Sequence, residues 1–285
     1  MTMMPRARRR PIDRFELARK AILVGFAIIS VGLPVWLVVV NSFKPLGEAN
    51  ALGLGLPGSW AGAENYATVF EDGEVAQGLR NTIIVAIPTV ILVLLLGGMA
   101  AWVFARQRGR SASLLYYLCI SGVLIPPAIV ASYQVLRTIG LQGTHPGLVL
   151  FYAGAWMAFA IFLTTGFVKT IPVELEEAAR LDGAGSLTIF RRIIFPLLLP
   201  INITAGFILL LFVWNDLLYA FFMLTGRDNR TLILGLFNVV SGYQYQIRWN
   251  LVFANVVIVS VPLAIAFLLA QRRIVAGLLG TGTDK

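Results

Sequence analysis

Long, unbroken apolar segments constrain the fold of this chain more than any other feature of its sequence. Six such segments are each about 20 residues long or slightly longer, which is the length at which an α-helix crosses the hydrocarbon core of a bilayer. None shows the strict alternation over about ten residues that is typical of a membrane β-barrel strand. The sequence therefore predicts an all-α membrane protein with six transmembrane helices in one domain, residues 21–270. The predicted spans are 21–40, 82–104, 114–136, 148–168, 197–222 and 251–270.

The charged residues indicate how these spans are oriented. The chain has a formal net charge of +9, but only 13% of its residues are charged. With six spans, both termini and the loops after the second and fourth spans share one side of the membrane, and that side holds 17 of the 23 Lys and Arg residues. The positive-inside rule places that side, with the segments 1–20 and 271–285, in the cytoplasm. The excess charge thus reports topology and contact with anionic lipid headgroups, and it does not predict nucleic-acid binding.

Three local features exclude other classes of site or processing. The basic N-terminus followed by an apolar run resembles a signal peptide, but the run reaches 20 residues with no small-x-small cleavage site, so we expect it to stay as the first span. Cys119 is the single cysteine and lies in a predicted span, which excludes disulfides and cysteine metal sites within the chain. His145 is the single histidine and is interpreted as a turn residue. No metal site is predicted.

One polar segment, 172–200, interrupts the apolar pattern on the predicted cytoplasmic side. Pro172 suits the first turn of a helix, and three glutamates then complement the N-terminal end of the helix dipole. Alanines continue the helix, and glycines end it. The pattern predicts an acidic helix of roughly three turns, followed by a second helix that Ser186 can cap. The residues behind this prediction are Glu174, Glu176, Glu177, Ala178, Ala179, Gly183 and Gly185.

The surface of this acidic helix favours a protein partner. Helical spacing places Leu175, Ala178, Ala179 and Asp182 on one face, where small side chains let another backbone approach closely. The alternative is a helix lying on the lipid surface. Such helices usually present Lys and Arg to anionic headgroups and bury bulky apolar residues, whereas this one presents glutamates and alanines.

The same segment resembles a family motif. Glu177, Ala178, Ala179 and Gly183, followed by Ile193 and Pro196, are similar to the "EAA…G………I.LP" pattern of bacterial ABC importer permeases, with Phe195 in place of the usual leucine. The similarity extends over nearly the whole chain through "NSFKP", "ENYATVF", "NTIIVA", "LIPP", "WNDLLYAF" and "RRIVAGLLGTG". The order and spacing of these segments resemble sugar-importer permeases, specifically the smaller maltose-type subunit.

This resemblance implies a mechanism and a set of partners. In the family, the short cytoplasmic helix between the fourth and fifth spans, here in the coupling-helix region 172–196, is a coupling helix that docks into a cleft on an ATP-hydrolysing subunit. Closure of two such subunits moves the spans between inward-open and outward-open states. The resemblance also implies a second, homologous permease subunit and an extracytoplasmic solute-binding protein. Glu177 would supply a charge-assisted contact and Gly183 the backbone geometry for docking, and Asp182, Ile193 and Pro196 belong to the same coupling motif.

The chain lacks the residues for nucleotide chemistry of its own. No GxxxxGK[ST] segment occurs in the sequence, so this polypeptide cannot cradle ATP phosphates. We expect it to be a transport subunit rather than an enzyme and to hold no cofactor, with ATP and magnesium bound by the partner ATPase.

Asp216 is the single charged residue within a predicted span, and it follows Trp214 and Asn215. A carboxylate in hydrocarbon is unfavourable enough to suggest a function. One interpretation is that these three residues border the translocation path, where aromatic and amide groups suit sugar hydroxyls. The other is a polar cluster that packs helices together. The sequence leaves both open, and it does not identify the sugar or polyol.

Two other classes of function are consistent with six spans. A secondary transporter or channel working alone would need ionisable residues along its path, for which Asp216 is thin support. A membrane scaffold or sensor would not transport solute at all. The coupling-helix segment favours the ATP-driven importer over both alternatives.

Overall fold

The computed structural model describes residues 14–71, 74–107, 109–242 and 247–279, and every regular element within these ranges is helical. An isolated β-bridge also joins Gly143 to Leu224. The predicted all-α fold is confirmed.

The first five helices cover the N-terminal third of the chain. Helix α1 (Arg14–Ala27) continues through a π-helical turn (Ile28–Gly32) into α2 (Leu33–Ser42). Helices α3 (Leu46–Ala49), α4 (Gly62–Glu71) and α5 (Glu74–Arg106) follow. The segment between the first two predicted spans is thus helical on both sides of the irregular stretch 51–60.

The third predicted span is broken. Residues 114–136 are divided between α6 (Arg110–Ser121) and α7 (Ile129–Thr138), and the intervening residues, which include Pro126 and Pro127, are not helical. Two consecutive prolines remove two N–H donors, and each disfavours helical geometry in the residue before it. The segment predicted as the third span is therefore two helices with a break at the paired prolines. Helix α8 (His145–Val168) then matches the fourth predicted span, and the Thr144 hydroxyl caps it by accepting from the Gly147 N–H.

The C-terminal half contains the polar segment and the last spans. Its helices are α9 (Glu174–Leu181), α10 (Ser186–Ile189), a π-helical turn (Phe190–Ile194), α11 (Phe195–Leu197), α12 (Leu199–Trp214), α13 (Leu218–Met223), α14 (Leu232–Gly242) and α15 (Trp249–Leu279). The fifth predicted span, 197–222, is therefore interrupted after Trp214. Helix α14 lies between the fifth and sixth predicted spans.

Four helical stretches among the described residues are long and apolar enough to cross a membrane: Phe15–Ser42, Val75–Arg106, His145–Val168 and Trp249–Gln271. A fifth crossing is possible if Ser186–Leu197 and Leu199–Trp214, which meet at an angle of 76°, form one bent span. These stretches describe a multi-pass membrane protein, and six spans remain a prediction.

The chain forms two compact units. The first comprises the described part of Met1–Thr68 together with Arg248–Val257. It contains a buried polar network in which the Asn65 amide donates to the Ser42 and Lys44 carbonyls, at 2.9 Å each, and accepts from the Asn250 amide at 2.7 Å. The Ser42 and Tyr66 hydroxyls lie 3.0 Å apart. The "NSFKP" and "ENYATVF" segments are thus joined by structural hydrogen bonds.

The second unit comprises Val69–Ile247 and Ile258–Lys285, of which residues up to 279 are described. Its helices α5 and α8 pack closely, because Gly97 lets the backbone of α5 approach Ala160. A cluster of buried residues that includes Phe190, Ile194 and Leu198 lies at the end of this pair nearest Val168 of α8, and Trp102 of α5 packs against it. The polar segment 172–200 is built on that cluster.

Candidate functional site

The acidic helix of the polar segment is α9, which is shorter than the predicted three turns. It begins at Glu174 and ends at Leu181 in a glycine-based C-cap. Gly183 has a φ of +81°, a left-handed conformation that favours glycine. The Gly183 N–H bonds to the Arg180 carbonyl at 3.0 Å, and the Ala184 N–H bonds to the Ala179 carbonyl at 2.9 Å. This is the Schellman pattern, and it fixes the direction in which the chain leaves the helix.

One of the three glutamates of α9 is buried. Glu176 is 2% exposed, and its Oε1 accepts from Arg106 Nε at 2.7 Å. Its Oε2 accepts from Trp102 Nε1 at 3.0 Å, and Arg106 Nη2 donates to the Ile171 carbonyl at 2.8 Å. The helix is therefore attached to the end of α5 by one charge-assisted pair and two further hydrogen bonds. We did not predict this contact from the sequence.

The opposite side of α9 is open to solvent. Glu177, Ala178, Asp182 and Gly183 are exposed, and Leu181 is 90% exposed. This side of the helix therefore offers another molecule an apolar side chain, Leu181, between two carboxylates, Glu177 and Asp182.

Ala179 departs from the predicted face of the helix. It is half-buried and packs, with Ala184, against the cluster around Ile194, so it does not share the exposed face of Ala178. Of the four residues on the predicted face, Ala179 is the one nearest the buried side that Glu176 sets, because consecutive helical residues are about 100° apart.

The remaining residues of the predicted coupling motif lie in the next helical segment. Ile193 is half-buried and packs against the same cluster, whereas Pro196 is exposed at the start of α11. Ser186 is the first residue of α10, after Gly185 at the N-cap, and no side chain caps this end. The predicted serine cap was therefore wrong.

The Trp214–Asp216 group lies at the break between α12 and α13, and each side chain has an intramolecular hydrogen bond. Trp214 is buried and donates to the Val259 carbonyl at 3.2 Å. The exposed Asn215 donates to the Leu211 carbonyl of its own helix at 2.9 Å. The three side chains therefore contact different parts of the second unit.

Asp216 is held by its carboxylate. Oδ2 accepts from the Tyr152 hydroxyl at 2.6 Å and from the Ala220 N–H at 2.9 Å, and Oδ1 accepts from the Tyr219 N–H at 3.3 Å. Bonds to the first free N–H groups of α13 are those of a helix cap. This geometry favours the structural interpretation of Asp216.

The sequence did not reveal a groove beside the broken third span. Its volume is about 800 Å³, and its walls are the end of α6, the break, α7 and one side of α8. Pro126 and Pro127 of the "LIPP" segment line it, and Gly154 forms part of its opposite wall. The paired prolines were the sequence signal for this break in the helix.

The sequence and the fold of this chain are both similar to those of known membrane transport proteins. Residues 79–279 match the family described as the inner membrane component of binding-protein-dependent transport systems. The chain belongs to this family. It is 33% identical over 272 residues to the diacetylchitobiose uptake system permease protein NgcG of Streptomyces coelicolor, an alignment that covers 95% of this chain and 89% of that protein.

Further relatives show the same relationship. The trehalose transport system permease protein SugB of Mycobacterium tuberculosis is 31% identical over 259 residues, covering 90% of this chain and 92% of that protein. The fold is similar to a chain in the crystal structure of a bacterial ABC transporter involved in the import of the acidic polysaccharide alginate. The TM-score is 0.80 at 22% identity, over 95% of this chain and 99% of that chain. The prediction that this chain is an importer permease, related to permeases named for carbohydrate transport, is confirmed.

Proposed function

We propose that this chain is the permease subunit of an ATP-driven importer that takes up a di- or oligosaccharide or a related polyol. It would work with two copies of an ATPase subunit that bind ATP and magnesium, a second homologous permease subunit and an extracytoplasmic solute-binding protein. The observation that carries the proposal is the exposed side of α9. A solvent-facing helix with Leu181 uncovered, ending at a left-handed Gly183, is suited to insertion into a cleft on another protein.

The same proposal gives the coupling step. Glu177 and Asp182 are exposed and can pair with basic groups of an ATPase, while Ala178 allows close backbone approach. A partner that grips this surface and moves when it binds ATP shifts the balance between two conformations of the spans. ATP hydrolysis then drives transport although this chain binds no nucleotide.

The six-span topology with both termini in the cytoplasm is part of the proposal. The broken pair α6–α7 would form the third span, and α11–α13, with its bend, the fifth. Backbone that is not helical at membrane depth is tolerated where it is buried in protein or lines a cavity, and the groove beside α6–α7 is such a place. The arginines at the end of α5 and in the polar segment would then lie in the cytoplasm.

The substrate class is proposed from the relatives. Their names include diacetylchitobiose, melibiose, raffinose, stachyose, trehalose and maltodextrin transport. All are neutral oligosaccharides. The Asp216 carboxylate, just beyond the end of α12, is already paired with the Tyr152 hydroxyl and the Ala220 N–H, which gives no support for an ionic solute.

The deciding experiment alters the exposed side of α9 in the assembled complex. We expect Glu177→Lys with Gly183→Asp to abolish co-purification of the ATPase and ATP-driven uptake of a panel of labelled oligosaccharides, with normal amounts of the permease in the membrane. Glu174→Lys changes an exposed glutamate on the same helix that lies outside the coupling motif, and it serves as the control. Retained ATPase binding and uptake in the double variant would refute the assignment.

Vesicle transport separates this function from a secondary transporter. An ATP-driven importer requires ATP on the side of α9 and is insensitive to collapse of ion gradients. A transporter working alone shows the reverse dependence.

A further inference from the structure

Helix α5 carries a set of polar side chains at each end, and both sets hold a segment that is distant in the sequence. At the end near Arg106, Trp102 and Arg106 hold Glu176 of α9 and the Ile171 carbonyl. We call these residues the inner clamp. At the other end, Gln77, Asn81 and Thr82 hold the segment 228–232 between α13 and α14. We call these the outer clamp.

The outer clamp is dense and largely buried. The Asn81 amide donates to the Asp228 carbonyl at 2.7 Å and to the Arg230 carbonyl at 2.9 Å, and Gln77 donates to the Asp228 carbonyl at 2.9 Å. The Thr82 hydroxyl accepts from the Leu232 N–H at 2.9 Å. Asn81 is 5% exposed and Thr82 1%. Because every partner is a backbone group, this contact fixes the path of the segment whatever its side chains are.

The inner clamp resists sliding or rotation of α9 against α5. Both oxygens of Glu176 are used, and Arg106 also bonds to the chain just before α9 through Ile171. Replacing a buried ion pair by apolar residues is often neutral for stability, whereas separating its partners leaves a buried charge without compensation. The pair therefore acts chiefly to set position, and movement of α9 without α5 is strongly disfavoured.

The helix between the clamps is long enough to reach across the bilayer. Asn81 and Trp102 are 21 residues apart, about 32 Å along the axis, which is close to the ~30 Å thickness of the hydrocarbon core. Helix α5 is continuous over this distance, through Pro88. Both ends, α9 and the segment 228–232 belong to the same compact unit.

We propose that α5 is the member that transmits movement of α9 across the membrane, with Arg106, Trp102 and Glu176 as positioning residues at one end and Asn81 and Thr82 at the other. When an ATPase moves α9, the inner clamp moves α5, and the outer clamp moves the segment 228–232 on the opposite face. This inference rests on the proposed function for the source of movement. It goes beyond that function in naming the helix and the contacts that carry it.

The test follows the outer segment directly and needs no knowledge of the solute. In a Cys119→Ala chain, Asp228→Cys places a single thiol at an exposed position of the segment while the backbone carbonyl that receives Asn81 is retained. The complete importer is reconstituted, and the rate of labelling by a membrane-impermeant maleimide is compared without nucleotide and after trapping with ATP, magnesium and vanadate. We expect the two rates to differ in the complex with intact clamps.

Breaking either clamp should remove that difference while ATP hydrolysis continues. Glu176→Gln keeps the shape of the side chain but loses its charge, and Asn81→Ala removes two bonds to the segment. We expect either change to reduce uptake per ATP hydrolysed by roughly 5- to 150-fold, the range typical of coupling between two sites. The controls are Glu174→Gln, exposed on the same helix, and Asn238→Ala, whose amide donates to the Leu234 carbonyl of its own helix.

The outcomes are distinguishable. A nucleotide-dependent labelling change that persists at full size in both clamp variants overturns the inference, and so does an unaltered complex that transports but shows no change at position 228. Failure of the unaltered chain to bind an ATPase overturns the proposed function instead. Should Glu176→Gln not accumulate in the membrane, Asn81→Ala decides, since it leaves α9 and its contacts unchanged.

Discussion

The conformation of Gly183 allows the turn after α9 to be tested apart from any docking contact. Its φ of +81° is left-handed, and a Cβ built on it would meet no atom within 4 Å. Gly183→Ala therefore introduces backbone strain without a clash within the chain. The left-handed conformation costs an L-residue about 1–2 kcal/mol, whereas asparagine tolerates it better. We expect Gly183→Ala to weaken the turn by that amount and Gly183→Asn to weaken it less.

The reporter is the Ala184 N–H, which closes the turn on the Ala179 carbonyl at 2.9 Å. A loss of 1–2 kcal/mol corresponds to about 5- to 30-fold faster amide exchange through local opening. Hydrogen exchange of the purified permease in detergent measures this directly. Equal exchange in the alanine variant and the unaltered chain, or faster exchange with asparagine than with alanine, would contradict the argument from backbone conformation.

Two further substitutions test the packing of the second unit. Tyr152→Phe removes the hydroxyl that donates to the Asp216 carboxylate at 2.6 Å. It should lower the free energy of unfolding by about 1–2 kcal/mol, measured as a lower thermal midpoint in detergent. If Asp216 is structural, this variant keeps its sugar preference, and a changed preference would support the translocation-path interpretation. Gly97→Ala should destabilise the α5–α8 contact because its Cβ would lie 3.1 Å from that of Ala160, while Gly98→Ala, with its nearest neighbour at 3.6 Å, should be nearly neutral. Equal thermal midpoints for the two alanine variants would contradict this prediction and show that α8 shifts to accommodate the added methyl group.

The features that the sequence predicted well depend on composition over many residues or on strong local signals. The apolar lengths of α5, α8 and α15 locate three spans without knowledge of their neighbours. The acidic start and glycine end of α9 locate that helix, because dipole complementarity and the C-cap act within a few residues. These signals survive in almost any tertiary environment.

The features that were missed depend on tertiary contacts. Pro88 and Pro262 lie inside continuous helices, whereas Pro126 and Pro127 occur in a break. A single proline removes one bond that the flanking turns can absorb, but two in succession remove adjacent bonds. Whether a proline stays inside a helix or breaks it also depends on the packing around it, which the sequence alone does not show.

The burial of Glu176 is a second example. Three glutamates occur within four positions of α9, and which of them meets Arg106 depends on how α9 lies across α5, a contact between residues 70 positions apart. In the sequence, Arg106 is one of the 17 basic residues on the predicted cytoplasmic side, and nothing there gives its distance from Glu176. The available signal for this ion pair was an arginine at the end of a predicted span, on the same predicted side of the membrane as the acidic segment.

The sharp corner at Leu198 has a consequence for chimaeric transporters. Leu198 donates its N–H to Ile194 and accepts from the Asn202 N–H, so this one fully buried residue bonds to the helical turns on both sides of the 76° bend. Each residue inserted into or deleted from α12 would turn everything beyond it by about 100° relative to the corner. If the polar segment 172–198 is exchanged between two permeases, it should therefore keep its orientation relative to the end of α12 only when the number of residues from Leu198 to Trp214 is preserved, however freely the side chains in between are varied.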